Sequence, residues 1–245
     1  MNLILVRHGE SQWNKENRFT GWTDVSLTKN GINEAYFAAN QIKKLNLRFD
    51  NVYTSILKRA KETANIICSE LGFPESEIKE DWRLNERHYG ALQGLNKKET
   101  AKKYSEERVL LWRRSYSTCP PKLSKNDKRH PKFNPLFNFI ANLPSGESLE
   151  NVEERLKPFL KFFFEEVVSY GENHMIIAHS NSLRSIVKVL ENLGNNEIVS
   201  LNIPTCVPIL YQLDSKFKIQ KKVFLLDKKE LKTKIEDIEN QGKIK

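Results

Sequence analysis

Two short apolar runs, far apart in the chain, end in the same way. Leu3-Ile4-Leu5-Val6 is followed at once by Arg7-His8-Gly9-Glu10-Ser11, and Met175-Ile176-Ile177-Ala178 by His179-Ser180-Asn181. Runs this apolar, without alternation, read as strands buried on both faces, as in a parallel sheet. In open α/β sheets ligands bind beyond the carboxyl ends of the strands. Arg7, His8 and His179 therefore fall where such a fold does its chemistry. An arginine beside one of two strand-end histidines points to an anionic substrate and a histidine nucleophile.

The intervening sequence alternates strand and helix patterns. Thr28 reads as the N-cap of a helix that carries Ile32, Ala35, Tyr36, Ala39, Ile42 and Leu45 on one face. Asn51–Thr54 is a short strand. Thr54 or Ser55 is placed to cap the next helix, which stops at Gly72. Lys79–Leu84 reads as a strand, Lys97–Ser117 as one helix, and the segment from Ser148 to Val168 as another. Residues 118–147 form a long loop rich in Pro, Lys and Asn, a length that points to function or mobility. Val207–Leu213 and Lys218–Leu225 form a terminal antiparallel pair, followed by a polar tail. The expected class is α/β, a doubly wound, mostly parallel sheet with helices on both faces. The expected organisation is one catalytic domain over residues 1–245, with an insertion around 95–147 and a mobile tail around 232–245.

The net charge of +9 raises nucleic-acid binding, but its distribution argues against that. Residues 215–245 hold ten lysines against five acids, so most of the excess lies in the tail, interleaved with acids like a solvated face. No ordered aromatic-basic stripe accompanies it. No stretch of about 18 apolar residues is present, so no membrane span is expected. The first strand begins by the third residue, which leaves no room for a signal peptide. Cys68, Cys119 and Cys206 are too scattered for a disulfide framework or a zinc cluster. The expected setting is cytoplasmic.

The chemistry follows from residue types. A neutral His8 imidazole can attack phosphorus, and neighbouring cations keep its lone pair free. Gly9 is expected to let backbone N–H groups approach an anion. Arg7 offers a planar fork of donors for phosphate oxygens, and Arg59, near the start of a helix after a strand, offers a second. His179, when cationic, is a further donor around a phosphoryl group in flight. Glu86, in the cluster Asn85-Glu86-Arg87-His88-Tyr89-Gly90, is the candidate general acid/base. Lys97, Arg113 and Arg114 supply cations for the far end of a multiply charged anion.

Taken together, these motifs resemble the cofactor-dependent phosphoglycerate mutases, a branch of the histidine phosphatase superfamily. The resemblance runs nearly end to end. It rests on Leu5–Asn14, Arg18–Trp22, Tyr53–Ala60, the long run Leu84–Lys97, Trp112–Arg114, Asn181–Arg184, Leu201–Thr205 and Asn240–Lys243. It implies interconversion of 3-phosphoglycerate and 2-phosphoglycerate, in glycolysis and gluconeogenesis, through a phosphohistidine at His8. It also implies 2,3-bisphosphoglycerate as phosphoryl-donating primer, no metal, and assembly as a homodimer or homotetramer. His8, Glu86, His179, Arg7 and Arg59 match the family's catalytic positions. The implied substrate-binding set is Arg7, His8, Gly9, Glu10, Ser11, Gln12, Trp13, Asn14, Thr20, Gly21, Arg59, Glu86, Arg87, His88, Tyr89, Lys97, Arg113, Arg114, Ser180 and Asn181. Ser180, Cys206 and Leu226 stand where the family usually has glycine.

Two other readings stay open on sequence alone. A histidine phosphatase would use the same His8, Arg7, Arg59 and His179 but pass the phosphoryl group to water. A binding protein would hold the ligand without turnover. Neither nucleic acid nor membrane is an expected partner.

Overall fold

The computed structural model describes residues 1–169, 171–241 and 243–244. Its centre is a six-stranded sheet. The strands are β1 (Asn2–Arg7), β2 (Asn51–Thr54), β3 (Lys79–Glu80), β4 (Asn173–Ala178), β5 (Ile209–Leu213) and β6 (Ile219–Phe224), in the order β3-β2-β4-β1-β5-β6. The first four are mutually parallel, whereas β5 pairs antiparallel with β1, and β6 antiparallel with β5. A doubly wound, mostly parallel sheet is thus what the chain forms.

Helices cover both faces. They are α1 (Gln12–Lys15), α2 (Lys29–Lys43), α3 (Lys58–Leu71), α4 (Lys97–Tyr104), α5 (Glu106–Arg114), α6 (Leu149–Phe162), α7 (Ser180–Glu191), α8 (Glu197–Ser200) and α9 (Lys228–Asn240). Successive strand residues point to opposite faces. Leu3 and Leu5 of β1 therefore join one core with α6 and α7, while Ile4 and Val6 join the other with α2 and α3. Burying each such side chain contributes about 1.5–3 kcal/mol. That explains why the runs are apolar without alternation.

The register of β1 against β4 matters most for function. Arg7 lies opposite Ala178, and the His8 N–H donates to the Ala178 carbonyl at 2.9 Å. The next residue on each strand is a histidine, so the two end side by side. Thr54 of β2 lies opposite Ile177, which brings the start of α3 to the same edge.

Several local expectations need correction. Lys79–Leu84 is not one strand: β3 is two residues long, and Trp82–Leu84 forms a 3-10 turn whose start is capped by the Asp81 carboxylate. The helix expected over Lys97–Ser117 breaks at Ser105, which takes φ 82° and caps α5 by accepting from the Arg108 N–H. The Ser148-capped helix ends at Phe162, and a wider turn, Phe163–Val167, follows. Neither Thr54 nor Ser55 is the N-cap of α3; Leu57 takes that position without a side-chain bond. Gly72 does end α3, at φ 70°. The polar tail contains α9, capped by Asp227.

Candidate active site

The strand ends open into a cavity. Its described lining holds seven cationic residues, Arg7, Arg18, Arg59, Lys97, Arg113, Arg114 and Arg184, against one carboxylate, Glu86. A lining so unbalanced suits a small polyanion.

His8 is 2% exposed. Its Nδ1 lies 2.7 Å from the Gly9 carbonyl, which can only accept, so Nδ1 carries the proton. Nε2 accepts from Arg59 Nε at 3.2 Å. The neutral tautomer is thereby fixed, with the Nε2 lone pair directed at the Arg59 N–H. Burial, then Arg59 and Arg7, push the His8 pKa well below 6.5. Arg59 is itself held by the Thr23 and Gly21 carbonyls, at 3.0 and 2.8 Å. Arg7 donates to the Ile203 carbonyl at 2.8 Å, and its buried Nε has no hydrogen-bond partner among the described residues.

The His179 ring lies 4.9 Å from that of His8, centroid to centroid. Burial comes first among the causes that hold its pKa well below 6.5, followed by Arg59, His8 and Arg155. In its neutral form the ring can donate a single N–H. Its Nε2 is 2.6 Å from the Ser55 hydroxyl. The sequence reading assigned Ser55 only to helix capping.

Glu86 sits on the loop before the Gly90–Leu92 turn. Its Oε1 accepts from the Arg87 N–H (2.8 Å), the Asn181 N–H (3.1 Å) and Asn181 Nδ2 (2.8 Å). The N-terminus of α7 therefore faces the carboxylate, which its dipole favours. Behind the loop, Arg155 donates to the Asn85 and Glu86 carbonyls and pairs with Glu147, which accepts from the His88 N–H.

The far wall comes from distant segments. Lys97 Nζ donates to Gln241 Oε1 at 3.0 Å, and Arg113 donates to the Gln241 carbonyl. Arg114 is held by Asn202, whose amide also reaches Glu239 of α9 at 3.1 Å. Burial and neighbouring cations push the Lys97 pKa well below 10.5 and that of Arg113 to about 10. Ile238 and Gln241 thus close the cavity over its cationic end.

Thr20, Gly21, Asn14, Tyr89, Ser180 and Asn181 also line the cavity. Others in the expected binding set do not. Gly9 donates to Thr63 Oγ1 at 3.1 Å instead of facing an anion. It must be glycine because a Cβ there would lie 2.3 Å from the Gly31 carbonyl oxygen. Ser11 caps α1 and hydrogen-bonds Asn14, which does line the cavity. The Glu10 carboxylate accepts from Thr28, and Gln12 turns outward to Glu16. Trp13 packs beside Gly94, on a different pocket. The Arg87 guanidinium lies over the Tyr89 ring, 4.8 Å from its centroid, and His88 is buried against Trp22. The sequence reading missed Arg18, Phe19, Arg184, Ile238 and Gln241 as lining residues. Of these, Arg18, Phe19, Arg184 and Gln241 fell inside the matched runs, without a role assigned.

The three positions that depart from the usual glycine resolve differently. Ser180 is the first residue of α7 with negative φ, so its side chain brings no strain. Cys206 takes φ 48°, a conformation glycine adopts more readily, and its N–H donates to the Arg7 carbonyl at 2.9 Å. Leu226 is half-buried with negative φ.

Residues 3–127 match the family model of the histidine phosphatase superfamily (branch 1). The chain is 46% identical, over 100% of its length and 99% of the relative's, to a 2,3-bisphosphoglycerate-dependent phosphoglycerate mutase of Parabacteroides distasonis. It is 47% identical to the enzyme of that name from Borrelia garinii subsp. bavariensis, over 99% of each chain. A solved mycobacterial glucosyl-3-phosphoglycerate phosphatase superposes with a TM-score of 0.70 at 21% identity, covering 92% of this chain and 98% of that one. At that identity the likeness concerns the fold.

Proposed function

The chain belongs to the histidine phosphatase superfamily, among its 2,3-bisphosphoglycerate-dependent phosphoglycerate mutases, and from that premise we propose that it interconverts 3-phosphoglycerate and 2-phosphoglycerate in glycolysis and gluconeogenesis. The observation that carries the reading is the pairing of a fixed, neutral His8 with a cavity that is cationic along its whole length. 2,3-Bisphosphoglycerate, the primer, supplies the phosphoryl group that loads His8.

The residues divide the work. Nε2 of His8 takes and returns phosphorus. Arg7, Arg59 and His179 surround it with donors fixed before the substrate arrives, so little reorganisation is needed as charge spreads over the equatorial oxygens. Glu86 takes the proton of the substrate hydroxyl as the O–P bond forms and the N–P bond breaks, and gives a proton back in reverse. Lys97, Arg113 and Arg114 hold the other charged end. Asn14, Thr20, Gly21, Tyr89, Ser180 and Asn181 complete the binding set. Ser11 acts on it through Asn14, and Arg87 through Tyr89.

The cavity draws on residues from Arg7 to Gln241, which supports a single catalytic domain with an insertion around 95–147. The contacts of Gln241 and Ile238 support a role for the tail as a lid that excludes water. The same reading carries assembly as a homodimer or homotetramer, which sedimentation measures, and a cytoplasmic setting. Among the described residues no helix is long and apolar enough to cross a membrane.

The test is a coupled assay on 3-phosphoglycerate, run with and without 2,3-bisphosphoglycerate and with a chelator. Isomer formation that depends on the primer, survives chelation and leaves acid-labile phosphate on the protein is expected. Phosphate release without isomer formation would make the chain a histidine phosphatase instead.

A further inference from the structure

Arg184, on the second turn of α7, is only 1% exposed. It borders the cavity, yet its hydrogen bonds go to protein acceptors. Nη1 donates to Asn181 Oδ1 at 2.9 Å, and Nη2 to the Ile198 carbonyl at 2.6 Å and the Arg114 carbonyl at 3.4 Å. Burial, with Arg114 and Arg87 close by, pushes its pKa down to about 9. A buried guanidinium among cations is costly, so its position calls for an explanation beyond substrate charge.

Asn181 supplies that explanation. A primary amide has an accepting end and a donating end. A guanidinium can only donate, so Arg184 holds the Oδ1 end toward itself. The NH2 end is thereby turned to Glu86 Oε1, at 2.8 Å, and to the Tyr89 hydroxyl, at 3.2 Å. With the Arg87 and Asn181 N–H groups, Oε1 collects the three hydrogen bonds the carboxylate makes among the described residues. Oε2 is left to meet the substrate. Freed from Arg184, the amide could turn its own oxygen toward Oε1, setting acceptor against acceptor and rotating the carboxylate out of line.

We propose that Arg184 is a positioning residue for the acid/base step: through the Asn181 amide it orients Glu86 so that Oε2 exchanges the proton with the substrate hydroxyl. This rests on the mutase reading above. The chemistry balances without a further reagent. The hydroxyl proton passes to Oε2 as the new O–P bond forms and the His8 N–P bond breaks, and it returns from Oε2 in the reverse step.

The experiment is a double-mutant cycle on the full-length protein with Arg184→Met, Arg184→Lys, Glu86→Gln and the pair Glu86→Gln/Arg184→Met. The readouts are kcat and KM for 3-phosphoglycerate, with thermal melts to establish folding. Arg184→Met is expected to lower kcat about 10- to 100-fold with KM changed less than about threefold, and Arg184→Lys, which keeps a donor, to recover at least about a third of the lost rate. With Glu86→Gln already present, Arg184→Met should cost less than about threefold more, because the group it positions is gone. A merely structural role gives the same loss in both backgrounds, and that result overturns the proposal. So does a loss confined to KM, or no loss. If Arg184→Met does not fold, Arg184→Ala, which also removes the donor, runs the same cycle with the same expectation. A wild-type protein that releases phosphate without forming 2-phosphoglycerate refutes the mutase reading separately. The cycle is then read in phosphate release, where additivity would still refute the role of Arg184.

Discussion

At the His8 end of the cavity, the groups proposed to react come from residues at or just beyond buried strand ends, from the first turn of a helix, or from one short loop. Main-chain carbonyls hold them: Gly9 for His8, Gly21 and Thr23 for Arg59, and Ile203 for Arg7. At the Lys97 end, the cations come from α4 and α5, and they are held by side chains and by the C-terminal segment. The first end is fixed by the sheet itself. The second depends on α9 being in place. On the proposed reading the difference separates chemistry from recognition: phosphoryl transfer needs groups set before binding, whereas recognition of the rest of the substrate can be completed by a part that closes.

Four perturbations break or sharpen this contrast. The largest effect is expected from His8→Ala, which removes the phosphorus acceptor: isomerisation should fall at least about 10⁴-fold and no acid-labile phosphate should form. Retained turnover would refute the assignment of the first end. Lys97→Met and Arg113→Met probe the second. Each removes a charge-assisted contact worth about 1.5–3 kcal/mol, so KM should rise about 10- to 100-fold while kcat moves far less. A kcat-dominated loss would mean that the two ends are not separable.

Ending the chain after Leu226 removes α9. Isomerisation is then expected to fall severalfold, and the ratio of phosphate release to isomerisation to rise about as much, because water reaches phospho-His8. An unchanged ratio, from paired product assays, would remove the lid.

The smallest effect concerns stability in acid. Burial holds the pKa values of His8, His88 and His179 below 6.5, that of His88 at about 3. Below pH 6.5 the unfolded chain binds protons that the folded protein does not, so stability falls as pH falls. Each such histidine contributes up to about 1.4 kcal/mol per pH unit between its unfolded and folded values. Melting temperatures from pH 7 to pH 5 should decline, and His88→Gln should lessen the slope. A flat profile would contradict the buried neutral histidines at the first end.

The contrast also marks what could be read from the chain. Leu3–Val6 and Met175–Ala178 disclosed their strands because burial on both faces demands uninterrupted apolar residues. His8, His179 and Arg7 were legible because they stand at the ends of such strands, and Arg59 because it opens the helix that follows β2. Ser55 was misread as a cap, since nothing local shows that its hydroxyl meets a ring 124 positions later. Gly9 was read as an anion cradle, although its small size serves the close passage of Gly31. The break at Ser105 was missed because the pattern of α4 and α5 continues across it, and only the cap geometry stops the helix there.

The linear chain by itself determined the alternation of strand and helix, the apolar runs and the residues at their ends, because these depend on neighbours within a few positions. Tertiary structure alone decided which oxygen of Glu86 is left free, which way Asn181 faces, and that Gln241 reaches Lys97 and Arg113. Those outcomes depend on donors and acceptors brought together by sheet register and helix packing, and a hydrogen bond forms only where its two ends come within about 3 Å of each other.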